Sequence, residues 1–274
     1  MSGTLFVVGT PIGNLGDFSP RAVETLNNCD FIAAEDTRVT LKLLNHFEIK
    51  KPMISYFEHN RREKGEIIAQ RILAGENCAL VTDAGMPAVS DPGEDLVALC
   101  AEKGIDVKAV PGPSAFVAAA ALSGLPVGRF TFEGFLSMNK QSRREHLLSV
   151  KHEKRTMIFY EAPHKLSATL KDFFDCLGDR RLAIVREITK IHEEAIRTTL
   201  KEAAEKYAET PLKGEIVLVI EGEKEEKAEV TLEDAVTLAK EYIKEGLSSS
   251  FAAKKAAKET GLKKGDIYNL IKED

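Results

Sequence analysis

Short apolar runs, each stopped by glycine or a polar turn, set the pattern over the first half of the chain. Residues 5–8, 31–34, 53–56, 78–81 and 106–110 predict strands. Between them, residues 20–27, 40–46, 62–74 and 93–103 carry helical periodicity. Ser19 before Pro20 supplies an N-cap and first-turn pair, and Gly75 and Gly104 stand just past two helix ends. Strand and helix alternating in this way predict a mostly parallel sheet with helices on both faces. The pattern changes near 122–126. Strands over 130–135, 156–160, 182–186 and 215–220, with helices over 143–150, 166–177 and 201–207, predict a second α/β unit. Residues 232–245, 250–259 and 265–271 read as helices of a tail. The expected organisation is an α/β domain over 1–121, a second over 122–222, an acidic linker over 223–230 and a helical tail over 231–274.

Composition narrows the class. With 43% hydrophobic and 30% charged residues in 274, the chain is neither disordered nor a small disulfide scaffold. Its longest apolar stretch, 115–122, is far short of a membrane span. Cys29, Cys78, Cys100 and Cys176 form no CxxC pair and the histidines no HExxH, so neither zinc nor redox chemistry is indicated. No signal peptide opens the sequence, and four reduced thiols in a cytoplasmic protein are expected. No metal and no membrane partner are expected.

Three turns follow predicted strands in the first half. Gly9-Thr10-Pro11-Ile12-Gly13-Asn14-Leu15-Gly16 has spacing GxxxGxxG and no GK[ST] ending, which excludes a P-loop. Asp83-Ala84-Gly85-Met86-Pro87-Ala88-Val89-Ser90-Asp91-Pro92-Gly93 is dense in glycine and proline, which clear side chains away from a backbone facing a ligand. Its aspartates suit ribose hydroxyls or an amino group, although Asp91 equally suits a cap before Pro92. Pro111-Gly112-Pro113-Ser114-Ala115 opens an alanine-rich helix. Loops at such strand ends form the usual ligand crevice of an open α/β sheet.

Together with Gly124-Leu125-Pro126, these turns resemble the S-adenosylmethionine-dependent tetrapyrrole (corrin/porphyrin) methylases. Thr-Pro-Ile replaces the Gly-Pro-Gly core of the porphyrin branch in the first turn. Val8–Leu15, Glu35-Asp36-Thr37-Arg38, Thr82–Gly93, Phe132–Leu136, Tyr160-Glu161-Ala162-Pro163-His164 and Arg186-Glu187-Ile188-Thr189-Lys190 are similar to the branch that modifies small-subunit ribosomal RNA. The resemblance covers about residues 4–222. It implies two α/β domains with S-adenosylmethionine in the cleft between them, a homodimer, and methylation of a cytidine ribose 2′-hydroxyl in the decoding region of 16S ribosomal RNA. On matching positions the cofactor would touch Pro11, Asp83, Ala84, Gly85, Ser90, Asp91, Ser114 and Ala115, with Tyr160, Gly214 and Glu215 from the second domain.

Charge fits this expectation locally. The net charge is −5, yet Lys140, Arg143, Arg144, Lys151, Lys154 and Arg155 stand against Glu145 and Glu153, a net of +4 over 139–155. Such a patch suits phosphates, as it would suit a solvated helix face or a tetrapyrrole carboxylate. The tail has the look of a helix-turn-helix with a basic edge at Lys254, Lys255, Lys258, Lys263 and Lys264, either for RNA or for packing alone. For in-line methyl transfer, the candidate groups that accept the proton or stabilise an alkoxide are Asp36, Arg38, Glu161, His164, Glu187 and Lys190. Glu187 and Lys190 also have the spacing of a simple ion pair. Two other readings remain at this point: a tetrapyrrole C-methyltransferase, and a non-enzymatic nucleic-acid-binding factor.

Overall fold

The computed structural model describes residues 2–210, 212–224 and 231–273. Its first five strands are β1 (Thr4–Val8), β2 (Phe31–Ala34), β3 (Met53–Ser55), β4 (Cys78–Val81) and β5 (Asp106–Val110). They pair in parallel in the order β3-β2-β4-β1-β5. Every residue of β2 and β4 is buried, as expected where helices cover both faces. Successive side chains point to opposite sides. Phe31 and Ala33 pack with Ile68 and Leu96 of α3 (Arg61–Leu73) and α4 (Gly93–Glu102). Ile32 and Ala34 pack with Leu26 and Leu44 of α1 (Pro20–Asn28) and α2 (Thr37–His46). Helix α2 begins three residues earlier than its apolar pattern suggests, because the Asp36 carboxylate caps it by accepting the Arg38 N–H at 2.8 Å.

The strand order matters for the site. β4, β1 and β5 are neighbours, so the three turns at their carboxyl ends lie side by side although they are far apart in sequence.

The second sheet contains β6 (Phe130–Phe135), β7 (Thr156–Glu161), β8 (Arg181–Arg186), β9 (Glu194–Thr199) and β10 (Ile216–Ile220), in the order β6-β7-β10-β8-β9. Only β6 and β7 are parallel; the other pairs are antiparallel. Strand β9 has no counterpart in the hydrophobic pattern. It is an edge strand with Glu194 and Arg197 exposed, so it lacks the apolar run that marks its buried neighbours. One face of this sheet packs on α6 (Lys140–Ser149), α7 (Leu166–Leu177) and α8 (Leu200–Lys206), where Phe159, Leu182, Ile184 and Leu218 meet Leu147, Phe173 and Ala203. Helix α6 starts before 143 because Asn139 accepts the Gln141 and Ser142 N–H groups. The other face packs on α5 (Ala115–Ser123) through Ala119 and Ala120. Helix α5 therefore straddles residue 121, where the sequence places a boundary, and packs on the second sheet.

The chain divides into two compact units, residues 1–223 and 224–274. The smaller holds α9 (Leu232–Lys244), α10 (Ser249–Thr260) and α11 (Lys264–Glu273) around Ala235, Ala239, Ala252, Ala253, Ala256 and Ile267. Thr231 and Asp234 form a capping box at the start of α9. Most of the acidic run, 225–230, lies outside the described residues. All four cysteines are free thiols. Among the described residues, no helix is long and apolar enough to cross a membrane, and no cluster of side chains could hold a metal ion.

Candidate active site

The first sheet contributes a wall made mostly of backbone. Gly9 and Gly112 lie back to back: a Cβ on Gly9 would stand 2.7 Å from the Gly112 nitrogen. The turns after β1 and β5 can approach this closely only without side chains. Thr10 and Gly85 exchange backbone hydrogen bonds of 2.9 and 3.1 Å, and the Thr10 hydroxyl donates to the Thr82 carbonyl at 3.2 Å. Gly85 sits at φ +88°, which favours glycine. The Asp91 carboxylate accepts the Ala88 and Gly93 N–H groups and holds Ala88 at φ +63°. Burial raises the Asp91 pKa against those two hydrogen bonds. Asp91 is therefore a brace for the loop. Asp83 is also raised, by burial and then by Glu35, and accepts the Asp36 N–H at 3.2 Å.

The second sheet contributes side chains. The Tyr160 hydroxyl accepts the Phe116 N–H at 3.3 Å, and its ring meets Phe132 and Phe135 at centroid distances of 5.0 and 5.3 Å. Burial raises its pKa. Glu161 is 5% exposed; its carboxylate accepts the Ala162 N–H at 2.7 Å and the Thr169 hydroxyl. Beyond β8, Glu187 Oε1 accepts the Glu215 N–H at 2.9 Å and the Lys190 ammonium at 3.0 Å. Lys190 also pairs with Glu215 at 3.2 Å. The Glu215 amide, then Lys190, hold the Glu187 carboxyl below the usual range. Burial opposes the charge on Lys190, but Glu187 and Glu215 outweigh it and raise its pKa. Glu187 and Thr189 both have positive φ, +51° and +68°, a strained backbone for such residues. Gly13 and Gly214 leave room for this pair: a Cβ on either would run into Lys190 or Glu187.

Between the walls lies a cavity of about 470 Å³. Of the expected cofactor-binding residues, Asp83, Ala84, Gly85, Ser90, Asp91, Ser114, Ala115, Tyr160 and Glu215 line it. Pro11 and Gly214 stand beside lining residues Ile12 and Glu215 without lining it themselves. Of the candidate catalytic residues only Glu161 lines it. Glu187 precedes the lining residue Ile188, Lys190 follows two residues after it, and both contact Glu215, at the cavity's edge. Asp36 and Arg38 stand outside the lining and are paired with each other at 2.7 Å. The Arg38 side chain, then its amide, bring the Asp36 carboxyl down to about 2, which makes it a weak base. Ile12, Glu35, Met86, Phe116 and Phe135 also line the cavity and have no polar group that singles them out, apart from the Glu35 carboxylate; their place within or beside the motifs is the available signal. The lining includes five carboxylates, from Glu35, Asp83, Asp91, Glu161 and Glu215, and no lysine, arginine or histidine.

A second hollow, about 790 Å³, has more cations than carboxylates in its lining, the carboxylates being Asp172 and Asp175. Lys140, Arg143, Arg144 and Lys151 line it with His164 and Lys165, which stand outside the basic run over 139–155. Lys154 and Arg155 lie outside this lining; Arg155 forks onto Glu153 at 2.7 and 2.9 Å. Arg143 is 15% exposed and bound to Asp172 at 2.6 Å and to the Thr169 hydroxyl at 2.8 Å. It is a wall of the groove more than a free cation.

A parallel sheet whose neighbouring glycine turns face a mixed sheet across an acidic cavity defines the class as an α/β protein with a ligand-sized cleft between two sheets. Residues 4–204 match the family Tetrapyrrole (Corrin/Porphyrin) Methylases, and the chain belongs to that family. It is 47% identical, over 98% of this chain and 97% of the relative, to the Synechocystis protein named Ribosomal RNA small subunit methyltransferase I. A Halalkalibacterium halodurans protein of the same name is also 47% identical, over 99% and 96%. A uroporphyrin-III C-methyl transferase from Thermus thermophilus, solved with S-adenyl homocysteine, shares the fold: TM-score 0.53, 16% identity, covering 80% of this chain and 97% of that one.

Proposed function

We propose that this protein transfers a methyl group from S-adenosylmethionine to a cytidine ribose 2′-hydroxyl in 16S ribosomal RNA. One observation carries the reading: an acidic cavity and a basic groove adjoin along the chain. Glu161, Ala162 and Pro163 line the cavity, and the next two residues, His164 and Lys165, line the groove. The carboxylates suit a ligand bearing a sulfonium and an ammonium; the cations suit a phosphodiester chain. The names of the 47% identical relatives point to small-subunit ribosomal RNA.

The cavity fits the cofactor. Its volume lies within the range of small-molecule sites, and its apolar Ile12, Met86, Val89 and Val217 suit a purine and a thioether. Asp83, Ser90, Ser114 and Ala115 would hold it, with Tyr160 and Glu215 opposite. S-adenosylmethionine, when bound, supplies an activated methyl on a sulfonium. This chain's residues then have two tasks. One is alignment of the ribose oxygen, to which rigid backbone turns contribute most. The other is charge. As the 2′-oxygen bonds the methyl and the thioether leaves, its hydroxyl proton passes to solvent water, and Lys190, kept protonated by Glu187 and Glu215, can stabilise the alkoxide character this leaves on the oxygen. Glu187, with its lowered pKa, orients Lys190 and is a poor base. The reading carries with it a homodimer and a cytoplasmic location.

Incubation with methyl-labelled S-adenosylmethionine and either small ribosomal subunits, naked ribosomal RNA or uroporphyrinogen tests it. Label in ribosomal RNA is expected. Label in uroporphyrinogen alone, or cofactor-independent RNA binding with no label anywhere, overturns it.

A further inference from the structure

A chain of hydrogen bonds runs from the basic groove to the cavity. Arg143 on α6 and Thr169 on α7 line the groove, and Glu161 at the end of β7 lines the cavity. Arg143 Nη2 lies 2.8 Å from the Thr169 hydroxyl, which in turn meets Glu161 Oε2. Their chemistry fixes the direction. A guanidinium has no acceptor, so the hydroxyl oxygen must accept from it. The hydroxyl has one proton, and that proton must go to the Glu161 carboxylate. Both links are charge-assisted. Thr169 is 1% exposed, so its hydroxyl is largely shielded from bulk solvent. Asp172 accepts Arg143 Nε at 2.6 Å and fixes the guanidinium plane, and the Ala162 N–H occupies Glu161 Oε1.

We propose that Arg143 and Thr169 are positioning residues: they fix Glu161, and with it the 161–165 segment, so that groove and cavity are held in register for transfer. Arg143 thereby acts on turnover, whereas Lys140 and Lys151, on the same groove, act on RNA affinity. The consequence for turnover rests on the methyl-transfer reading; the geometric part does not.

Two measurements separate them. The first is hydrogen exchange of the Ala162 amide. Thr169→Val keeps the shape and removes the hydroxyl; exchange is expected to rise at least about tenfold, because the carboxylate that holds the amide loses its donor. Thr169→Ser is expected to retain wild-type protection. Equal exchange in wild type and Thr169→Val, or loss of protection in Thr169→Ser as well, overturns the relay whether or not the protein methylates RNA. The second is steady-state kinetics with RNA. Arg143→Lys keeps the charge but loses the fork, and is expected to lower kcat about tenfold with KM for RNA within about twofold. Lys140→Ala is expected to raise KM and leave kcat. A raised KM with unchanged kcat in Arg143→Lys would make it a phosphate contact and overturn the proposal.

Discussion

The two walls of the cavity are built by different means. The first-sheet wall is main chain: Gly9 against Gly112, Thr10 paired with Gly85, Asp91 bracing its own loop. The second-sheet wall is side chain: Tyr160 on the Phe116 amide, Glu161 on Thr169, and Lys190 between Glu187 and Glu215. A main-chain wall tolerates almost no added atoms but needs few particular side chains. A side-chain wall tolerates small changes of shape but depends on charge. The division suits the proposed roles, with shape provided by one wall and the cation, Lys190, placed by the other.

The sharpest break is on the main-chain side. Gly9→Ala puts a methyl 2.7 Å from the Gly112 backbone, which cannot give way as a side-chain end would. Loss of S-adenosylmethionine binding by at least about a hundredfold in calorimetry is expected, since the turns must separate. Next is Lys190→Ala. Removing a cation at a developing alkoxide costs about a hundredfold or more in kcat, with cofactor affinity nearly unchanged. If that variant instead loses affinity and keeps kcat, both walls serve binding alone. Lys140→Ala with Lys151→Ala touches neither wall. It should weaken RNA binding several-fold and flatten its salt dependence by about two phosphate contacts.

The smallest effect is acid stability. Pairing with Arg155 lowers the Glu153 carboxyl from its ordinary 4.5 to about 2. A depressed carboxylate contributes stability above its unfolded pKa and loses it as pH falls towards the folded value. Glu153→Gln is therefore expected to lower Tm by roughly 2 °C at pH 7, and the gap to wild type should close between about pH 4.5 and pH 2.

The main-chain wall is the legible one. Gly9, Gly85 and Gly112 mark turns in the sequence because glycine there answers a local backbone need, and local needs leave local signals. The alternation of strand and helix reveals the parallel sheet for the same reason. Strand β9 is hidden because an exposed edge strand buries too little to form an apolar run. The side-chain wall is hidden in part because its partners are distant: Thr169 carries no motif, yet it decides what Glu161 can do. Arg143 reads as a phosphate contact in the sequence, and only Asp172 and Thr169 beside it give it another role. The motif around Asp36 and Arg38 draws them into the catalytic set, but its local use is a helix cap.

The most direct test follows the methyl group to its atom. Ribosomal RNA from small subunits treated with the protein and methyl-labelled S-adenosylmethionine would be digested to nucleosides. The account predicts label in 2′-O-methylcytidine, lost in Lys190→Ala. Label in a base-methylated nucleoside, or none in RNA while the cofactor still binds, would contradict it.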